Sequence, residues 1–169
     1  TLAQYDLFVP YTPQEVDQIT PAMRDTSAAP FWTPMNAWGA AICINKPELE
    51  KHKLPMPESW ADLADPVYKG HIVMPTPVSS GTALLAINGW RHSMGEEKAW
   101  EYMQALHGNI KMYVHSGCKP CQMTAQGEAI IGIASDTCVR PLLQRKAPIG
   151  VVIPKEGVGW DTEIAAVVK

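Results

Sequence analysis

Ser79-Ser80-Gly81-Thr82 closes a long mixed stretch, PESWADLADPVYKGHIVMPTPVSSGT, running from Pro57 to Thr82. A short apolar strand, His71–Met74, precedes this turn and a helix follows it. The Ser80 and Thr82 hydroxyls, with the amides of Gly81 and Thr82, therefore fall at a sheet edge where a helix begins. The first amides of a helix lack partners and carry partial positive charge, so such a place suits a phosphate, phosphonate or carboxylate. Gly81 lets the backbone come close to an anion. The alternative is that a serine here is a plain N-cap.

Ser116-Gly117-Cys118-Lys119 repeats the arrangement after a second strand, and Lys119 adds a positive charge. Its plainer reading is a helix start with a solvated lysine. Asp136, in Ser135-Asp136-Thr137 after a third strand, can receive an ammonium or a sugar hydroxyl, or cap a helix. Trp32 and Trp38 can wall a pocket or sit in a core.

Four cysteines, Cys43, Cys118, Cys121 and Cys138, allow three fully paired connectivities. Cys118 and Cys121 form a C-x-x-C at a helix start. That spacing has three readings. A helix N-terminus lowers a thiol's pKa, which suits redox chemistry. Half a zinc site is the second, with His115 and Cys138 as conceivable partners, although no second C-x-x-C or H-x-x-x-H exists. The third is a structural disulfide, such as one to Cys138, with the remaining thiols unpaired. No nucleophile elbow, zinc-protease, phosphate-loop or dinucleotide fingerprint occurs, and the five histidines are scattered.

These turns need strands and helices to hold them. Thr12-Pro13-Gln14-Glu15 reads as a capping box opening a helix over Pro13–Ile19. Residues 20–34, rich in proline, read as loop, and Trp38–Asn45 as a strand. Lys46–Pro57 reads as a charged surface connection and Ser59–Leu63 as one helical turn. Helices follow at Thr82–His92, with Leu84, Ile87, Trp90 and Met94 on one face, and at Glu96–His107, stopped by Gly108. Its face carries Ala99, Trp100, Met103 and Leu106. Strand Ile110–Val114, helix Pro120–Gln126 ended by Gly127, strand Ala129–Ala134, helix Cys138–Arg145 and strand Ile149–Ile153 complete the alternation. A last helix is expected from Asp161 to Lys169. Strands alternating with helices predict an α/β fold with a mostly parallel, covered sheet, whose ligands sit beyond the strand C-termini.

The 169 residues suffice for one real core, or for one lobe plus pieces of another. A net charge of −3 gives no basic patch and argues against a nucleic-acid partner. No apolar run is long enough to span a membrane. Thr1-Leu2-Ala3-Gln4 is not the charged start of a leader, as is also expected of a trimmed chain. The abrupt ends read as an excerpt from a longer chain.

Taken together, these stretches resemble the periplasmic substrate-binding proteins of ABC importers, in the ferric-iron, aminoethylphosphonate and sugar-phosphate branch. The resemblance rests on Trp60, Asp62-Leu63, Asp65-Pro66, Tyr68-Lys69-Gly70 and Ser80-Gly81-Thr82. It extends over SGCKPCQMTAQGEAIIGIA, with Gly127-Glu128 before an apolar strand, and over VVIPKEGVGWDTEIAAVVK. It implies a three-layer α/β lobe and an incomplete type II clamshell. Residues 1–37 would end the first lobe and approach the hinge, 38–150 would form the second lobe, and 151–169 would return to the first.

It further implies a non-enzymatic protein without a cofactor, held in the periplasm. Its expected partners are a small anionic solute, a phosphonate or organophosphate, and the importer's membrane permease, with no direct membrane insertion. Ser80, Gly81, Thr82, Ser116 and Gly117 would hold the anion, and Asp136 would meet an amine. Iron-binding relatives carry adjacent tyrosines where this chain has Ala134-Ser135-Asp136-Thr137-Cys138, which steers the reading away from iron. Cys118 stands where many relatives have a small residue, and a disulfide near the cleft is the implied reason. The alternatives are a ferric or other metal-binding protein of the same fold, a thiol-disulfide protein using Cys118 and Cys121, and an α/β domain with no ligand.

Overall fold

The computed structural model describes Tyr5–Lys169; Thr1–Gln4, read above for a leader, lies outside the described residues. No described helix is long and apolar enough to cross a membrane. The chain divides into two compact units, one holding the residues up to Trp38 together with Asp161–Lys169, the other Gly39–Trp160.

The larger unit is built on a mixed sheet. Its strands are β2 (Thr33–Asn45), β3 (Ile72–Pro75), β4 (Ile110–Val114), β5 (Ile131–Ser135) and β6 (Ile149–Val152), in the order β4-β3-β5-β2-β6. β3 runs parallel to both β4 and β5, whereas β2 runs antiparallel to β5 and β6. Four of these five strands thus point one way, as the alternation predicts. β3 and β5 are buried along their whole length, which is why they read as unbroken apolar runs. β7 (Trp160–Ala165) also pairs with β2.

Five helices cover this sheet: α1 (Lys46–Lys51), α2 (Gly81–Met94), α3 (Glu96–Asn109), α4 (Lys119–Ala125) and α5 (Val139–Gln144). The main core joins Ile42 and Ile44 of β2, Ile72 of β3 and Ile131 and Ile133 of β5 to Trp60, Leu63, Tyr68, Trp90 and Leu106. Gly132 explains how closely α4 lies on β5. A Cβ there would sit 2.8 Å from the Pro120 carbonyl oxygen and from Thr124 Oγ1.

The stretch before β3 is a chain of local caps. Ser59 Oγ accepts the Asp62 N–H at 3.1 Å, and Asp62 Oδ2 accepts the Ser59 N–H at 3.0 Å and the Glu58 N–H at 2.8 Å. This is a reciprocal capping box on a 3₁₀ turn, Ala61–Ala64. Asp65 then caps Val67, Tyr68 donates to the Pro55 carbonyl at 2.9 Å, and Asn109 Nδ2 donates to the carbonyls of Leu63 and Asp65. Much of the motif that carries the resemblance is therefore scaffold.

Several expectations need correction. Pro13–Ile19 is not a helix: only Val16–Gln18 makes a 3₁₀ turn, and Glu15 has φ 66°, which interrupts a helix. The charged connection after β2 contains α1, started by Asn45 Oδ1 accepting the Glu48 N–H at 3.0 Å. On α2 Trp90 is buried and Ile87 and Met94 pack against the core as expected, but Leu84 is exposed and Ala83 and Ala86 are buried in addition. On α3 the buried set is Ala99, Tyr102, Leu106 and Asn109. Trp100 lies outward and donates to Glu96 at 3.0 Å. Gly108 does not stop α3, because the Asn109 bonds hold one more residue in the helix.

The final helix is absent. Trp160–Ala165 is a strand, and Val167–Val168 (β8) pairs antiparallel with Phe8–Val9 (β1). The β-branched Thr162, Ile164, Val167 and Val168 suit that extended form.

Candidate functional site

Because β3, β4 and β5 are parallel neighbours, their C-terminal ends share one sheet edge. The three hydroxyl-bearing turns all leave from that edge. The first runs from Thr76 to Ser80 into α2, the second from His115 to Cys118 into α4, and the third begins at Asp136.

The first two turns interlock. A Cβ on Gly117 would overlap Thr82 Oγ1 and come within 3.0 Å of Thr82 Cβ and 3.3 Å of Ser80 Oγ. Glycine at 117 therefore lets the second turn lie directly against the Ser80 and Thr82 side chains at the start of α2. Ser79 Oγ lies 3.1 Å from His115 Nδ1 and donates to the His115 carbonyl at 3.3 Å, a further tie between the turns. Ser80 and Thr82 are only 6% and 5% exposed. Ser80 is the residue preceding α2, yet its side chain makes no capping bond. Its hydroxyl is not used in the way a plain N-cap would use it.

The third turn meets the second at its backbone: the Ser135 N–H donates to the Gly117 carbonyl at 3.2 Å. Ser135 Oγ and Thr137 Oγ1 share a hydrogen bond of 2.8 Å. Ser116 Oγ accepts the Cys118 N–H at 3.2 Å. The structure thus gathers Ser80, Gly81, Thr82, Ser116 and Gly117 at one edge, with Asp136 on the adjoining turn. Lys119 starts α4 and is exposed. Trp32 and Trp38 are half-buried in the smaller unit.

Asp136 is not simply aimed outward. Its Oδ1 accepts the Gly39 N–H at 3.0 Å. Gly39 was not singled out in the sequence, where it is one residue of an apolar run. It reaches this edge because β2 runs antiparallel to β5 with Ala40 paired to Ser135, the last residue of β5, so that Gly39 lies just beyond that end.

The C-x-x-C cysteines do not face each other as a pair. Cys118 lies at disulfide distance from Cys138, with Cα atoms 5.4 Å apart. Cys121 lies at disulfide distance from Cys43 of β2, with Cα atoms 5.5 Å apart. Both spacings fit the usual range for a bridge. Among the described residues no three His, Cys, Asp or Glu side chains converge as metal ligands. An apolar groove of about 560 Å³ between α2, α3 and β4 is lined by Met74, Ile87, Trp90, Trp100, Met103 and Tyr113, and reaches Thr76 and Pro77 at the start of the first turn.

The match to bacterial extracellular solute-binding proteins covers residues 1–166. The chain belongs to this family. A solved relative, the periplasmic binding protein AfuA from Actinobacillus pleuropneumoniae with exogenous fructose-6-phosphate bound, superposes with a TM-score of 0.87 at 31% identity. That alignment covers 100% of this chain and 54% of AfuA. An uncharacterised protein of Haemophilus influenzae is 28% identical over 170 residues, which is 99% of this chain and 49% of that protein. The phosphoglycerate transport regulatory protein PgtC of Salmonella typhimurium is 29% identical over 89 residues, 53% of this chain and 21% of PgtC. The chain thus spans about half the length, or less, of the curated relatives it matches. Family and fold are those of periplasmic solute-binding proteins, which bind their solutes without transforming them.

Proposed function

We propose that the shared edge of β3, β4 and β5 binds the anionic head of a small organophosphate or phosphonate, as part of an ABC import system. The observation that carries this is the packing of Gly117 onto Ser80 and Thr82, with the Ser80 hydroxyl unused as a cap. Amides at the start of α2 and hydroxyls from two turns converge there, and fixed dipoles replace water around an anion at little reorganisation cost. A phosphorylated solute is favoured because AfuA, the solved relative at 31% identity, holds fructose-6-phosphate. PgtC, named for phosphoglycerate transport, points the same way.

On this reading Gly39–Trp160 is the second lobe of a periplasmic clamshell, and the smaller unit belongs to the first. Solute contacts in the complete protein stabilise its closed population, which a membrane permease then recognises. The half-length chain supplies only one wall, so its affinity is expected to be weaker than ~1 µM.

The test is an amide NMR titration of the chain with fructose 6-phosphate, inorganic phosphate and, as control, fructose. Shifts centred on Gly81, Thr82, Ser116 and Gly117 with the two phosphates, and none with fructose, are expected. A folded chain whose amides at these positions stay fixed at millimolar phosphate would overturn the reading.

A further inference from the structure

We propose that Cys118 and Cys138 form a reducible disulfide that positions the second and third turns for anion binding, which makes them positioning residues of the site. The inference rests on the anion-binding reading of this edge. Cys118 directly follows Gly117, and Cys138 is two residues beyond Asp136. A bond between them joins the two turns at the sheet edge itself. Among the described residues, the hydrogen bond that reaches Gly117 from the side of the third turn is Ser135 N–H, at the end of β5, to the Gly117 carbonyl at 3.2 Å. Opening the bridge removes the covalent tie on that side and leaves this hydrogen bond to hold Gly117 to the end of β5. Gly117 is also the residue that lies on Ser80 and Thr82. Freedom gained by the second turn is therefore freedom gained at the anion's donors.

The two cysteine pairs differ in ways that separate their roles. Cys43 and Cys121 are fully buried in the core, at a sequence separation of 78. Cys118 and Cys138 are half-buried at the edge, separated by 20. A longer loop restrains the unfolded chain more, so the inner pair contributes more to stability. The outer pair is the one a reductant reaches. A soluble dithiol such as dithiothreitol supplies two electrons and two protons: the Cys118–Cys138 bond breaks, two thiols form, and the dithiol closes into its own cyclic disulfide. Ordering a turn on binding costs free energy that the bridge has already removed, so reduction lowers affinity by about tenfold.

The experiment has three readouts on the same chain. Mild dithiothreitol followed by alkylation and mass spectrometry is expected to label Cys118 and Cys138, while Cys43 and Cys121 are labelled only after denaturation and stronger reduction. Exchange of the Ser135 amide is expected to quicken on mild reduction. Inorganic phosphate, titrated by NMR, is expected to bind about tenfold more weakly to the reduced chain. A Cys118→Ser/Cys138→Ser variant should show this weaker binding with no response to reductant. A Cys43→Ala/Cys121→Ala variant should melt lower while keeping its phosphate affinity.

Four free thiols in the air-oxidised protein, or unchanged Ser135 exchange and unchanged phosphate affinity after outer-pair reduction, would overturn the proposal. An oxidised chain with both bridges intact and no response to phosphate sinks the anion reading instead. Thiol counting and Ser135 exchange then still decide whether the bridge fixes the turns.

Discussion

The Asp136 carboxylate accepts the backbone N–H of Gly39 at 3.0 Å, tying the turn after β5 to the antiparallel strand β2 that passes beside it. A carboxylate bonded in this way serves to place its turn. An asparagine keeps an acceptor oxygen at the same position, whereas alanine does not. Asp136→Asn should therefore preserve most stability and leave phosphate binding unchanged or stronger, since it removes a negative charge near the anion. Asp136→Ala should lose roughly 1.5–3 kcal/mol in urea unfolding, the usual range for a hydrogen bond to a charged group. Loss of phosphate binding in Asp136→Asn with the fold intact would show instead that the charge itself contacts the solute.

Gly117 has no room for a side chain beside Thr82. Gly117→Ala pushes a methyl group onto Thr82 Oγ1 and Cβ, and moving the second turn away is the simplest relief. Overpacking of this kind costs about 1–3 kcal/mol. Phosphate affinity should fall along with the melting temperature. Thermal melting and a phosphate titration on the same sample check this, and wild-type affinity in Gly117→Ala would remove the interlocked turns from the site.

Strands β3, β4 and β5 and the turns after them were legible because each is local: an apolar run, then Ser, Gly or Asp, then a helix. The pairings that complete the edge were not. Cys43 and Cys121 meet across 78 residues, and Gly39 meets Asp136 only through the antiparallel register of β2. The misread C-terminal segment has the same cause. Ile164, Val167 and Val168 fit a short apolar helix face, but these residues lie in strands, with β8 paired to β1 from the opposite end of the chain. On α2 the expected face is correct at Trp90, Ile87 and Met94, which pack on the main core, and fails at Leu84, where small Ala83 and Ala86 make the buried contact instead.

Asp62 gives the fold an acid-sensitive cap. The Glu58 N–H, followed by the Ser59 side chain, holds its carboxyl below the ordinary value of 3.8. A carboxyl lowered in the folded state binds a proton more readily when unfolded, so its stabilising contribution is complete above the unfolded pKa. That contribution is lost as pH falls from near 3.8 through the lower folded value. Asp62→Asn should flatten the stability profile in this acid window, read by urea midpoints at stepped pH. An unchanged acid slope would assign the sensitivity to other carboxylates.

Trp60, Trp90 and Tyr102 form an edge-to-face series, with ring centroids 5.4 Å and 5.0 Å apart. Burial pushes the Tyr102 phenol far above its ordinary range, with the charges of Glu156 and Asp62 acting in the same direction. Its hydroxyl is buried without a hydrogen-bond partner among the described residues, as is Trp90 Nε1. The two side chains thus contribute through ring packing, and the phenol oxygen adds a desolvation cost. Tyr102→Phe removes that oxygen and keeps the ring. It should leave the urea midpoint unchanged or raise stability by up to ~1 kcal/mol. Trp90→Ala, which empties the centre of the series, should cost about 3–5 kcal/mol. A loss above ~1 kcal/mol in Tyr102→Phe would reveal a partner for the hydroxyl, a bound water included.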